Sequence, residues 1–273
     1  MSGIWPGKTK CVVMLTFDID GVSGAINVEP KSAGFPGLMS LREYGPSVAI
    51  YRILDMLDET GVPASFYVPG FVAETHEDMV KEVSRRGHEI AHHGYMHEPP
   101  LTLSRDEEAT IIDRGVSILE NITGKRPRGY RAPGAEISEN TLDLLAERDF
   151  IYDSSLMGDD VPYLVDANGT EMVEIPFHWE MDDVAYFNYG PSLGLRQFMA
   201  TPQHVYDVWS AAFEGAYHYG QSIVPVMHPY VIGRLSRLRM LERLIKYIQG
   251  FENVKFMRAL DVAKLFAPNS TLH

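Results

Sequence analysis

Four of the chain's ten histidines lie within ten residues, in the segment HEIAHHGYMH at positions 88–97. A buried imidazole needs a polar partner, so a packing role for all four, His88, His92, His93 and His97, is difficult to build. His93 and His97 have three residues between them and could point together from one turn. A metal site is therefore the alternative to packing, with His88 and His92 as bystanders. His92 adjoins His93 in an extended segment and should face the opposite way.

Two aspartates at the end of the segment CVVMLTFDID (11–20) form a second group that could do chemistry. Alternation at a strand end would put Asp18 and Asp20 on the same side. One carboxylate and two imidazoles make a three-ligand site with open positions, which suits Zn²⁺ or another divalent ion such as Fe, Co or Mn. Water on such an ion can reach a pKa near ~7. The other carboxylate and His228, in VPVMHPY, are available as base and acid.

Each of these patterns also has an ordinary structural interpretation. An isolated aspartate pair of this kind more often caps a loop or a helix. An isolated histidine pair of this spacing is more often a surface or core feature than a ligand pair. Found together, each at a predicted strand end, the two pairs favour a metal site.

Three further groups are candidates on weaker grounds. Arg131, in YRAPG, would hold a neighbouring carboxylate ionised, although a lone arginine is usually solvated. Trp179 and the pair Asp182–Asp183 lie in HWEMDD, after another predicted strand. They could form a substrate wall and a carboxylate that orients His228, or equally a packed indole and a solvated acidic turn.

Short apolar runs alternate with segments of helical periodicity along the whole chain. The pattern predicts strands at 11–17, 63–70, 88–94, 150–156, 171–179, 222–229 and 254–260, with a short strand or loop at RGYRAPG. It predicts helices at 46–61, 76–87, 104–124, 138–149, 201–220, 236–251 and 261–267. Ser104 with Glu107 forms a capping box, and Ser138 and Thr201 are expected to cap the next two helices.

This alternation predicts an α/β fold in which helices cover a parallel sheet, either a barrel or a doubly wound sheet. Residues 1–273 are expected to form a single domain, because α/β barrels of ~250 residues are commonly undivided. No glycine-rich phosphate-binding pattern follows any strand, which argues against a nucleotide site. In a parallel barrel, functional groups gather where strands end, and the histidine and aspartate groups fit that rule.

The composition excludes several classes of partner. A net charge of −13 and a pI of about 5.2 argue against binding to nucleic acid or to anionic lipid. The single cysteine, Cys11, allows no internal disulfide and is expected in the core. The sequence starts without a signal-peptide pattern, and no apolar run reaches the ~18 residues of a membrane span. We therefore predict a cytoplasmic protein, for which neutral or cationic small molecules remain open as substrates.

Four segments in this order resemble motifs of the polysaccharide deacetylase superfamily, also called NodB-homology or carbohydrate esterase family 4. They are TFDID (16–20), HHGYMH (92–97), YRAPG (130–134) and MHP (227–229). The likeness extends roughly over residues 13–265. It implies a distorted (β/α)7 barrel and a hydrolase that acts on carbon–nitrogen bonds other than peptide bonds, usually an N-acetyl amide on a sugar.

The resemblance also implies a role for each residue. Asp20, His93 and His97 would ligate one divalent metal ion, most often zinc. Asp18 would be the general base, held by Arg131, and His228 would protonate the leaving nitrogen. The metal and a backbone N–H would hold the oxyanion.

Some features depart from the secreted members of the family. The first motif is D-x-D rather than two adjacent aspartates, and the motif between the arginine and the late histidine has two partial candidates, YDSSLMGDD (152–160) and HWEMDD (178–183). These features are more similar to a cytosolic branch with peptidoglycan deacetylase, cyclic imide hydrolases and allantoinase, whose members are often homo-oligomers, dimers or tetramers. Residues 21–45 are then expected to form a lid or a subunit contact.

Three functions remain open from the sequence. The first is removal of an N-acyl group from an amino sugar, and the second is opening of a small cyclic imide, amide or ureide. A glycan needs an open groove, whereas a small ring needs a closed cavity. The third is a non-catalytic carbohydrate-binding relative, against which the complete set of six candidate residues argues.

Overall fold

Parallel strands form the centre of the molecule, and the helices pack around them. The computed structural model describes residues 4–194 and 198–267. Its strands are β1 Cys11–Val13, β2 Leu15–Asp18, β3 Ala64–Val68, β4 Glu89–His92, β5 Gly129–Tyr130, β6 Tyr152–Asp153, β7 Tyr163–Ala167, β8 Thr170–Glu174, β9 Ser222–Ile223, β10 Val226–Met227 and β11 Val254–Phe256. Its α-helices are α1 Ser23–Val28, α2 Pro36–Tyr44, α3 Ile50–Thr60, α4 Gly70–Thr75, α5 Glu77–Arg85, α6 Arg105–Thr123, α7 Thr141–Ala146, α8 Val184–Phe187, α9 Pro202–Tyr219, α10 Pro229–Ile232, α11 Leu235–Gln249 and α12 Ala259–Phe266.

The larger sheet has the strand order β10-β2-β3-β4-β5-β6-β8-β7 and is parallel except for the last pair. It curls into a half-barrel. After β8 the chain returns to the opposite edge, where Asp182 pairs with Val226 in a single parallel bridge. The predicted α/β class and the distorted (β/α)7 barrel are confirmed.

Two of the predicted strands, 11–17 and 222–229, are each split in two. The run 11–17 divides at Met14 into β1 and β2, and the run 222–229 divides around Pro225, which has no N–H to donate. The first halves form a separate parallel sheet with the order β11-β1-β9. The strands are therefore divided between two sheets.

Alternation along β1 and β2 separates two cores. Cys11, Val13 and Phe17 face the outer core beneath the helices, where Trp209 and Phe213 of α9 also lie. Val12 and Met14 face an inner core with Ile175, Val226 and part of α12. Thr16 and Asp18 continue this inner series beyond the apolar residues. The polar candidate residues therefore follow directly after the apolar residues of the inner core.

Two of the three predicted helix caps agree with the structure, and the third does not. Ser104 and Glu107 form the expected capping box of α6, and Thr201 caps α9. The expected cap at Ser138 is wrong, because α7 begins only at Thr141. The Ser138 hydroxyl instead donates to buried Glu108 at 2.6 Å.

The predicted strand 171–179 is wrong in its bounds, whereas its parallel pairing with β6 agrees with the predicted parallel sheet. It runs over Thr170–Glu174 and forms an antiparallel hairpin with β7, which the sequence predictions omit. Asn168 and Gly169 make the turn with φ of 52° and 80°, the Asn-Gly signal of a two-residue hairpin. Residues beyond Glu174 leave the sheet and lead toward the site.

Residues 21–45, expected as a lid or subunit contact, form helices. The segment contains α1, α2 and the 3₁₀ turn Pro30–Gly34 and ends in a π-helical turn, Gly45–Ala49. It packs beside the carboxyl ends of β2 and β4 through contacts described below. None of the described helices is long and apolar enough to cross a membrane.

Candidate active site

Asp18 and Asp20 come together at the carboxyl end of β2, as alternation predicted. Asp18 is the last residue of the strand, and the Asp20 carbonyl accepts the N–H and the hydroxyl of Ser23, at 3.1 and 2.6 Å, where α1 begins. Both side chains are buried and lie on the same side, since Asp18 Oδ2 is 3.9 Å and Asp20 Oδ1 3.6 Å from His93 Nε2.

His93 and His97 lie on a tight turn after β4. Gly94 has φ of 73°, and His97 has φ of 62°, a conformation that costs energy for a residue with a side chain. The Glu98 carboxylate stabilises the turn by accepting the backbone N–H groups of Tyr95 and Met96, at 3.0 and 2.8 Å. Asn27 of α1 donates to the His97 carbonyl at 2.9 Å. The turn is held in place from both sides.

The two imidazoles face the same carboxylate oxygen. Asp20 Oδ1 lies 3.6 Å from His93 Nε2 and 3.7 Å from His97 Nε2. It is buried and has no hydrogen-bond partner among the described residues, which is costly for a carboxylate unless a cation satisfies it. These three side chains fit a divalent metal ion, because their ligand atoms all lie within 4.8 Å of one another and match the donor types that zinc accepts.

The protonation of this group also suits a metal. His93 Nδ1 lies 2.7 Å from the Arg131 carbonyl. A carbonyl only accepts, so Nδ1 carries a proton, and the neutral tautomer of this ring has its lone pair on Nε2, toward Asp20. Burial lowers the pKa of His97 to about 4, which leaves this ring neutral at neutral pH. Burial alone would raise the pKa of Asp20, but the surrounding imidazoles lower it below its ordinary value.

Arg131 is buried rather than solvated, with 1% of its surface exposed. Its Nη1 donates to Asp18 Oδ1 at 2.8 Å and to the Thr16 hydroxyl at 3.0 Å. Its Nε and Nη2 donate to the Ser154 carbonyl and hydroxyl, at 3.0 and 2.9 Å. The guanidinium therefore holds one oxygen of Asp18 and leaves the other toward the histidines.

The segment YDSSLMGDD supports the Arg131 loop from below. Ser154 accepts from Arg131, and the Ser155 hydroxyl accepts the Ala132 N–H at 2.9 Å. Ser155 in turn donates to Asp153 at 2.7 Å, and its own N–H donates to Glu174 at 3.0 Å. This first partial candidate for the missing motif therefore stabilises the Arg131 loop. None of its side chains contacts His93, His97 or His228.

The second partial candidate, HWEMDD, contributes directly. Asp183 Oδ1 accepts from His228 Nδ1 at 2.8 Å, whereas the nearest oxygen of Asp182 is 3.9 Å from the same nitrogen. The acidic turn is therefore buried and not solvated. His228 Nε2 points to the ligand group, 3.8 Å from Asp20 Oδ2. Burial would lower the pKa of His228, but the carboxylates of Asp20, Asp183 and Asp182 raise it well above its ordinary value.

The six candidate residues line one cavity of about 250 Å³: Asp18, Asp20, His93, His97, Arg131 and His228. Trp179 is 45% exposed on its wall, packed edge to face on Phe177 at 5.5 Å between ring centroids. A larger concavity of about 400 Å³ lies near Asp159, Asp160 and Tyr219. Its lining includes none of the candidate aspartates, histidines or arginine.

His88 and His92 lie away from the cavity. The His92 ring is fully buried and stacks on Tyr130, with its Nε2 directed at Gly115 of α6. The His88 ring packs against Phe66. Both are core residues, and His92 faces the opposite way from His93.

The sequence analysis missed Arg42, which lines the cavity from α2. It also missed Glu98, although this residue stands next to His97 and a carboxylate there could have indicated a braced turn. For Arg42 a weak signal exists, since Leu38 and Arg42 are four residues apart and therefore share the buried face of α2.

Comparisons with known proteins identify a family and several relatives to which this chain is similar. Residues 7–152 match the family described as polysaccharide deacetylase. A peptidoglycan deacetylase of Helicobacter pylori is 29% identical to this chain. The similarity covers 94% of this chain and 96% of the Helicobacter protein.

Solved structures are similar over nearly the whole chain. One from Mycobacterium smegmatis, assigned to the polysaccharide deacetylases, has a TM-score of 0.93 at 35% identity and covers 97% of this chain and 93% of its own. The PuuE allantoinase has a TM-score of 0.83 at 24% identity and covers 95% of this chain and 91% of its own. At that identity the second likeness shows a shared fold.

Proposed function

The chain belongs to the polysaccharide deacetylase family, and we propose that it removes an N-acyl group from an amino sugar with one divalent metal ion. The observation that carries this proposal is the buried Asp20 Oδ1, which has no hydrogen-bond partner among the described residues and faces two imidazoles. The reaction breaks a carbon–nitrogen bond other than a peptide bond, as deacetylases do.

Asp20, His93 and His97 would hold the metal ion. Nitrogen and oxygen donors of this kind suit zinc, and iron, cobalt or manganese would also bind to them. When bound, the ion would acidify a water molecule and polarise the acyl oxygen. The Arg131 carbonyl keeps His93 in the tautomer that such binding requires, through the hydrogen bond to Nδ1.

Asp18 would act as the general base. Arg131 occupies Oδ1, while Oδ2 lies 3.9 Å from His93 Nε2, beside the proposed ligands. A water molecule at this position would lose its proton to Asp18 as it attacks the acyl carbon.

His228 would act as the general acid. Its Nδ1 is engaged by Asp183, so the proton on Nε2 is the one that faces the cavity. The neighbouring carboxylates raise the pKa of this histidine well above its ordinary value, which favours the protonated form that a general acid needs. It would transfer that proton to the leaving nitrogen when the tetrahedral intermediate collapses.

A second substrate class has its own supporting observation. The cavity volume of about 250 Å³ is at the small end for ligand sites, which suits a small cyclic imide, amide or ureide. The exposed indole of Trp179 instead favours an amino-sugar substrate, because an aromatic face on an open wall provides apolar surface for a sugar ring.

The test is a product assay on the metal-loaded protein. Acetylated chitooligosaccharides and peptidoglycan fragments would be scored for released acetate and free amine, and succinimide, hydantoin and allantoin for ring opening. Acetate from the sugars supports the proposal, and ring opening alone would replace it with the second candidate. Turnover of none of these compounds by the fully metallated protein, with glycan binding that survives chelation, would favour the non-catalytic alternative.

Other properties stay predictions. Zinc as the native metal, a cytoplasmic location, and a homo-oligomer with residues 21–45 as a lid or subunit contact are all consistent with the sequence. Metal analysis of the purified protein, fractionation of cells and light scattering would test them.

A further inference from the structure

Arg42 is a buried cation in the cavity wall that makes no hydrogen bond to any residue that the structure describes. It is 7% exposed, and its guanidinium lies over the ring of Tyr230, 4.1 Å from the centroid. The closest carboxylate oxygen is Asp20 Oδ2, at 3.8 Å from Nη1, which is too far for a hydrogen bond. Its Nε is buried without a partner among the described residues.

Arg131, in the same cavity, is an example of a guanidinium with several hydrogen-bond partners. That residue makes four hydrogen bonds within 3.0 Å, to Thr16, Asp18 and Ser154. Burying charged N–H groups without such partners is costly. Asp20 does not compensate Arg42, because we assign its carboxylate to the metal. Arg42 is therefore a cation whose donors are available to something that enters the cavity.

The donor geometry of arginine indicates what that group is. A guanidinium presents a planar fork that matches the two oxygens of a carboxylate. Arg42 lines the cavity together with His228 and Trp179, so a carboxylate bound there would be attached to the same molecule as the reacting amide. Its position on α2 also gives residues 21–45 a role in recognising the substrate.

We propose that Arg42 binds a carboxylate of the substrate, so that the preferred substrates are acidic N-acyl compounds. This inference rests on the proposed function, which supplies the reacting amide. For an amino sugar, the carboxylate would be borne by a substituent of the ring, as in an N-acetyl sugar that carries a carboxyethyl ether.

The experiment compares an acid with its own ester. N-acetylmuramic acid and its methyl ester would be assayed for acetate release with the wild-type protein, Arg42→Met and Arg42→Lys. Arg239→Met, at an exposed position of α11, removes the same charge away from the cavity. Thermal unfolding and metal content of each variant would establish that it is folded and loaded.

The expected result is a loss confined mainly to the acid. Wild type should prefer the acid over the ester by about tenfold or more in kcat/KM, and Arg42→Met should abolish that preference, chiefly by raising KM for the acid. Arg42→Lys should recover part of it, and Arg239→Met should behave as wild type. Equal losses on acid and ester would show that Arg42 acts on the reacting acyl group or on structure, and would overturn the inference.

A binding measurement separates this inference from the proposed function. Failure of the wild-type protein to release acetate from either sugar would count against the amino-sugar proposal. The role of Arg42 could still be tested by titration calorimetry, because this method measures binding and needs no turnover. The same two sugars, and hydantoin-5-acetic acid with its methyl ester, would be titrated into wild type and Arg42→Met. An acid preference in either pair that disappears in the variant supports the role of Arg42. Equal affinities for acid and ester in both proteins would refute it.

Discussion

Asp183 binds His228 through both of its carboxylate oxygens. Oδ1 accepts from the ring Nδ1 at 2.8 Å, and Oδ2 accepts the backbone N–H of the same residue at 2.9 Å. Asp183 is itself completely buried. This paired contact fixes both the position of the ring and the nitrogen that carries the available proton.

We expect Asp183→Asn to slow the reaction by about 10–100-fold while the metal content is retained. Removing the negative charge lowers the pKa of His228, which the carboxylates hold above its ordinary value. Because the general acid must be protonated, the basic limb of the kcat/KM profile should move to lower pH. Rates measured across pH for both proteins would show this shift.

Asp182→Asn is the matched control, because Asp182 lies 3.9 Å from the same nitrogen and makes no hydrogen bond with it. It should move the basic limb less than Asp183→Asn does. An unchanged basic limb in Asp183→Asn would remove His228 from the role of general acid.

We expect Asp20→Ala and His97→Ala to lose bound metal, since each removes one of three ligands. Asp18→Asn should keep the metal but reduce kcat by about 100-fold or more, because a base and not a ligand is lost. Elemental analysis after dialysis, combined with rate measurements, would distinguish the two classes.

His218→Ala, at an exposed position on α9, is the control for losing an imidazole and should keep both metal and rate. Full metal occupancy in His97→Ala would defeat the ligand assignment. Loss of metal in Asp18→Asn would instead make that carboxylate a ligand.

Asp153 and Glu174 form a buried carboxyl pair beneath the Arg131 loop. Burial raises the pKa of both, and each has one oxygen, Asp153 Oδ2 and Glu174 Oε2, that lacks a partner unless a proton lies between the two groups. The folded state then holds more protons than the unfolded state above the ordinary carboxyl pKa. The free energy of unfolding therefore falls as pH rises from the unfolded toward the folded pKa values.

Glu174→Gln should weaken this pH dependence. The amide oxygen can still accept the N–H groups of Ser155 and Leu156, as Oε1 does at 3.0 and 2.9 Å, and the amide N–H can donate to Asp153. Denaturant unfolding from about pH 5 to pH 9 should give a shallower decline for the variant than for wild type. Parallel pH profiles of stability would show that the pair does not share a proton.

Gly115 allows α6 to approach the strand that precedes His93. A Cβ built there would lie 2.2 Å from His92 Nε2. We expect Gly115→Ala to lower the free energy of unfolding by about 1–3 kcal/mol, because the buried ring and its strand must move.

Gly215→Ala provides the comparison within another helix, since nothing lies within 4 Å of a Cβ at that position of α9. This change should raise stability by about 0.5–1 kcal/mol, the usual gain from replacing a helical glycine. Urea unfolding of both variants tests the pair, and equal effects would contradict the close contact at Gly115.

Local patterns in the sequence were sufficient for the βα order and for most of the site. Period-2 alternation placed Asp18 and Asp20 on one side, and the rule that parallel strands end at one edge brought them to His93 and His228. The Asn168-Gly169 turn also carried its own signal, so the omitted hairpin was a misinterpretation rather than missing information. The helices of residues 21–45 were not foreseen, because short helices depend on tertiary packing for most of their stability.

Only the tertiary structure decided how these side chains are paired. The sequence offered Asp182 and Asp183 equally, and the bridge between Asp182 and Val226 brings Asp183 to His228, 45 positions away. The sequence likewise could not show that Arg42 reaches the cavity or that Arg131 is buried. A periodic pattern records which face of an element is apolar. It carries no information on which distant element will pack against that face, and the choice of partner depends on such long-range contacts.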